Sequence, residues 1–112
     1  MHFFNQKTTE QIINTVSEFT GVTDEQMKSK KRNRTISDAR KLAIKLLHAY
    51  TPLTWKEIGS TLSIDHSSAL CAIKAADDLI ETNQIFRNSY LNASRKLQQI
   101  LDLAWCNTGP QF

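Results

Sequence analysis

Asp65, His66, Ser67 and Ser68 place a carboxylate, an imidazole and two hydroxyls side by side, and the alanine and isoleucine pattern after them is helical. Two chemistries use such groups. One is nucleophilic catalysis, with a base and an orienting acid. The other is hydrogen bonding to base edges from the first turn of a helix in a DNA major groove. Spacing decides against the first. Successive helical residues point about 100° apart, so three neighbours cannot align as nucleophile, base and orienter. The second fits: Asp65 can accept from a cytosine amino group, and His66 and the serines can bond bases or phosphates. Asp65 also suits a helix N-cap, where its charge meets the positive end of the dipole.

Other site chemistry finds little support. No G-x-x-x-x-G-K-[ST] loop occurs, so no nucleotide-hydrolysing site is expected. His2, His48 and His66 lack H-x-x-x-H spacing, and Cys71 and Cys106 form no C-x-x-C pair. Catalytic residues, cofactor and metal are each expected to be none, and the thiols fit a reducing cytoplasm. No apolar run approaches the ~18 residues that span a bilayer, and the N-terminus lacks a signal-peptide pattern. Trp55 and Trp105 read as packing anchors.

Charge supplies a second clue. Between Lys28 and Lys41 the chain has seven basic residues and one acid, Asp38, a local charge of +6 in a chain of net +3. Such a stretch on an otherwise acidic protein suits a polyanion. Lys31, Arg32 and Arg34 lie in a segment, 28–34, that reads as a basic loop able to neutralise phosphates or enter a narrow minor groove.

The elements that must position these groups are helices. Three Gly and two Pro in 112 residues leave few turn signals for a sheet protein. Ile12, Ile13, Val16 and Phe19 predict a helix over 9–20, capped by Thr8 or Thr9 and ended by Gly21. Thr23 and Gln26 form a capping-box pattern for a short helix over 24–29. Ser37 is expected to cap the third helix, whose stripe Ala39, Leu42, Ala43, Leu46, Leu47 and Tyr50 is unbroken. Its opposite face carries Arg40, Lys41, Lys45 and His48, and Thr51-Pro52 stops it. Thr54 and Glu57 form a second capping box for a helix over 54–62. Gly59 in its interior implies a close helix–helix crossing that excludes a side chain. After a turn at Ser63-Ile64, a helix over 65–82 buries Ala69, Ile73, Ala76 and Ile80 and exposes Ser67, Cys71, Lys74 and Asp78. A long helix over 84–105 completes an all-α fold of about six helices, in which Thr54 to Lys74 is a helix-turn-helix. The expected layout is a leader at 1–7, one domain at 8–105 and a tail at 106–112.

These pieces resemble the C-terminal DNA-binding domain of DnaA, the bacterial chromosomal replication initiator. The runs V-T-D-E-Q-M-K-S-K-K-R-N-R, A-R-K-L-A-I-K-L-L, T-W-K-E-I-G and D-H-S-S-A-L-C-A-I-K follow one another in that family's order, across about 80 residues from Ile12 to Tyr90. The resemblance implies a Trp-repressor-like architecture. It implies that Arg32 enters the minor groove and that Lys41 and His48 lie along the DNA backbone. Trp55 and Lys56 would touch phosphate and a thymine methyl. Asp65, His66, Ser67 and Ser68 would read the major groove, with Ala72 packed near the DNA. Cys71 and Lys74 join the expected DNA face from the exposed side of the same helix.

The resemblance has departures. Ile64 stands where the family commonly has Arg, the turn is one residue shorter, and Ser replaces Thr at 67 and 68. Lost direct readout costs ~1–3 kcal/mol per base pair, so weaker affinity for the family's box is expected. The family's ATPase domain has no counterpart here, and a stand-alone homologue is expected. The function expected is sequence-specific binding of double-stranded DNA at a DnaA-box-like site, in control of replication initiation or transcription, without ATPase activity. The expected location is the cytoplasm, on the nucleoid. The alternative is a helical protein-interaction module, pairing with a partner or with itself through the last helix.

Overall fold

The structure, a computed structural model, describes the backbone of residues 6–29 and 33–108 and the side chains of residues 9–29 and 33–100. Six helices follow one another: α1 (Gln6–Thr20), α2 (Asp24–Lys28), α3 (Arg34–Tyr50), α4 (Trp55–Thr61), α5 (His66–Thr82) and α6 (Gln84–Thr108). No strand occurs among the described residues. The fold is all-α, as the apolar periods predict.

α3 is the hub. It packs against each of the other five helices, and α4 packs on α5 beside it. Its stripe Ala39, Leu42, Ala43, Leu46 and Leu47 is buried, with Ile12 and Val16 from α1, Met27 from α2, Ile58 and Leu62 at α4, Ile73 and Ala76 from α5, and Leu97 from α6. Burying each Leu or Ile contributes roughly 1.5–3 kcal/mol, so this shared core fixes the helix arrangement. Ala69 and Ala76 let α5 approach closely.

Several boundaries differ from the expected ones. α1 begins at Gln6, so Thr8 and Thr9 lie inside it rather than capping it. α3 begins at Arg34, a turn before the expected Ser37. Its cap is Asn33, whose side chain accepts from Thr35 N at 2.8 Å, and Ser37 N already donates to Asn33 O at 2.8 Å. Ile36, buried one turn ahead of Ala39, extends the apolar stripe and stabilises that extra turn. The expected loop 28–34 is therefore shorter: Lys28 ends α2 and Arg34 opens α3. α4 and α5 each start one residue later than expected, because Thr54 and Asp65 are their caps. α6 runs to Thr108, past the expected 105.

Candidate nucleic-acid interface

The two-helix unit is built by local chemistry at three points. At its start, Glu57 N donates to Thr54 Oγ1 at 3.2 Å and Thr54 N donates to Glu57 Oε1 at 2.9 Å, the reciprocal capping box. At its elbow, Ser63 N donates to Ser60 O at 3.2 Å and Ile64 N donates to Gly59 O at 2.8 Å. That bond pair is a Schellman motif, with Ser63 in the left-handed position (φ 59°) where Gly is usual. At the head of α5, Ser68 N donates to Asp65 Oδ1 at 2.7 Å. A β-carbon on Gly59 would stand 2.6 Å from Ile64 O. The close approach anticipated at Gly59 is thus with the backbone of the elbow, not with a side chain of another helix.

Hydrogen bonding keeps both capping acids ionised. Glu57 lies below its ordinary carboxylate pKa because the Thr54 backbone N–H, and next its hydroxyl, bind the charged form. Asp65 is lowered by the Ser68 side chain, then by the Ser68 backbone N–H, with a smaller attraction from His66. Oδ1 of Asp65 is therefore engaged by the cap.

α5 presents an exposed polar face. His66, Ser67 and Ser68 in its first turn, and Cys71 and Lys74 beyond, are all exposed, while Ala72 is half-buried against the core. Ser67, Cys71 and Lys74 recur at i, i+4 and i+7, one line along the helix.

A second line runs along α3, where Arg34, Lys41, Lys45 and His48 share a face. Arg34 and His48 are exposed. Lys41 Nζ lies 3.8 Å from Asp38 Oδ1. The His48 ring stacks on Trp55, centroids 4.6 Å apart and planes 14° from parallel. That stack ties the end of α3 to the first residue of α4, next to exposed Lys56. Arg40, expected on the solvated face, instead turns towards α2. Its Nε donates to Met27 O at 2.6 Å, and its terminal nitrogen donates to the carbonyls of Ser29 and Gln26. It neutralises the negative end of α2.

α4 and α5, joined by the elbow, are the geometry of a helix-turn-helix, with the α3 line beside them. A family model described as the bacterial DnaA protein helix-turn-helix matches residues 9–75, more than half of the chain. The chain belongs to the DnaA C-terminal helix-turn-helix family. That is a DNA-binding family. Over 87 residues the chain is 33% identical to the chromosomal replication initiator protein DnaA of Aliarcobacter butzleri, covering 77% of this chain and 20% of that protein. Against the same initiator of Helicobacter hepaticus, identity is 34% over 96 residues, or 85% of this chain and 21% of the relative. Against that of Gloeobacter violaceus it is 40% over 79 residues, 70% of this chain and 17% of the relative. The chain spans about a fifth of the length of these relatives.

Of the DnaA-like site residues expected above, α5 gathers Asp65, His66, Ser67, Ser68, Cys71 and Lys74, and the α3–α4 corner gathers His48, Trp55 and Lys56. Arg34 stands at the other end of α3, 14 positions before His48. Lys31 and Arg32 lie outside the described residues, as does the side chain of Trp105. On α6, Ile85 and Leu91 are exposed, but six helical positions set them on different sides, so they form no continuous apolar strip. Among the described residues no helix is long and apolar enough to cross a membrane.

Proposed function

We propose that this chain is a sequence-specific double-stranded-DNA-binding module with α5 in the major groove and the basic segment around Arg32 at the adjacent minor groove. Asp65, His66, Ser67 and Ser68 read base edges. Arg34, Lys41, His48, Trp55 and Lys56 position the backbone, with Lys31, Cys71 and Lys74 completing the contact. The carrying observation is the exposed first turn of α5, capped by its own Asp65 and set on a rigid elbow. Charge of +6 within residues 28–41 supports the same reading. Residues 8–105 form the binding domain. It acts in the cytoplasm on DnaA-box-like sites in replication control or transcription, hydrolysing no ATP.

Fluorescence anisotropy with a duplex carrying a DnaA box, and with the same bases scrambled, tests this. Box binding is expected at ~50 mM salt, falling steeply as salt rises. Arg32→Ala should weaken both duplexes. His66→Ala should weaken the box alone, by a loss of ~1–3 kcal/mol. Glu81→Ala should change neither. Absence of binding at ~50 mM salt, or equal losses in all three variants, refutes the reading.

A further inference from the structure

Two of the cations on the α3 face are already engaged. Lys45 Nζ donates to Asp77 Oδ1 at 2.6 Å, across the groove between α3 and α5, and Lys41 faces Asp38 on its own helix. Lys45 is one-quarter exposed and Asp77 more than half exposed, so their pair sits at the protein surface where another anion can reach the ammonium. A carboxylate and a phosphodiester oxygen are alternative acceptors for it. While Asp77 holds Lys45, the duplex backbone gains one cation fewer.

Resting on the DNA-binding reading above, we propose that Asp77 sets the strength and salt dependence of duplex binding by withholding Lys45 from phosphate. Backbone attraction is independent of sequence, so each freed lysine strengthens every duplex alike. A withheld lysine therefore weakens box and scrambled duplexes equally, and their ratio is set by base contacts from α5 alone. The Asp77 pair is 2.6 Å and crosses between helices, whereas Lys41 stands 3.8 Å from Asp38 on its own helix and stays available to the backbone. Exposed Asp78 is the natural control. It carries the same charge on the same helix and makes no ion pair among the described residues.

The test compares the parent protein with D77N, D78N, K45Q and D77N/K45Q, on box and scrambled duplexes between 50 and 200 mM salt. D77N keeps the side-chain shape and removes the charge. It should tighten box and scrambled duplexes by the same factor, leaving the gap between them unchanged. One added phosphate contact steepens the salt slope by ~0.9, so the D77N advantage should shrink about 3.5-fold across that fourfold salt range. D78N should leave the slope unchanged, K45Q should bind no more tightly than the parent because it unpairs Asp77, and D77N/K45Q should lose the steepening. A parent-like slope for D77N, or a steepening that survives in D77N/K45Q, overturns the inference while leaving box binding by the parent intact. A parent protein that binds neither duplex overturns this inference and the DNA-binding reading together.

Discussion

Gly59→Ala pits helix propensity against a backbone contact, and the two predict opposite signs. In an unobstructed helix interior, Ala in place of Gly stabilises by about 1 kcal/mol. At this position the new methyl meets Ile64 O at 2.6 Å and the carbonyl carbon of Asp65 at 3.3 Å. Both are backbone atoms, with no rotamer to retreat into. Relief requires the elbow to move away from α4, with an overpacking cost of ~1–3 kcal/mol. The same movement stretches the Ile64 N–H bond to Gly59 O, 2.8 Å in the native elbow, at a cost of ~0.5–1.5 kcal/mol. After the propensity gain is subtracted, a net loss of roughly 0.5–3.5 kcal/mol remains. Urea unfolding followed by circular dichroism reads it directly. Because Asp65 moves with the elbow, box discrimination should also fall at temperatures where the variant is still folded. A variant as stable as the parent, or more stable, would show that α4 and the elbow have room to spare and would refute this account.

Removing Arg40 should destabilise the fold by about 1.5–3 kcal/mol, the worth of a hydrogen bond to a charged group, since three carbonyls at the end of α2 lose their donor. Thermal unfolding of Arg40→Ala measures this, and an unchanged midpoint would contradict it. Ser63→Gly should stabilise by up to ~1.5 kcal/mol, because the left-handed penalty of ~1–2 kcal/mol outweighs the added chain freedom of glycine. A loss of stability would mean the Ser63 side chain contributes more than its backbone strain. Both capping carboxylates are lowered from their ordinary values of 4.5 (Glu57) and 3.8 (Asp65). Their contribution to stability is present above those values and is lost as the pH falls through the lower folded ones. Glu57→Gln and Asp65→Asn should therefore flatten the stability profile in acid, and a profile identical to the parent's would argue against the caps.

Local signals in the chain carried much of this structure, and non-local ones did not. Thr23, Thr54 and Asp65 were legible as caps because each motif spans three residues and acts within a single turn. The apolar stripe of α3 was legible for the same reason, but its first turn was not. Arg34 reads as loop, and only the packing of Ile36 against other helices reveals the extra turn. Gly59 signalled a close approach, yet which atoms approach depends on how Ser63 turns the chain. Arg40 looked like one more surface cation, since nothing in its neighbourhood marks the carbonyls of α2 as partners. On the candidate site, the face of α5 followed from periodicity. The Lys45–Asp77 pair joins residues 32 apart, and the His48–Trp55 stack reaches across a proline, so both become visible only once α3, α4 and α5 are packed.

Ser29 and Asn33 are both anchored, one to the end of α2 and the other to the head of α3. The Ser29 hydroxyl donates to Gln26 O at 2.7 Å and its carbonyl accepts from Arg40. Asn33 is held as the cap of α3. Through Arg40 the end of α2 is fastened to α3, so this five-residue helix keeps its place by a charge on its neighbour rather than by its own length.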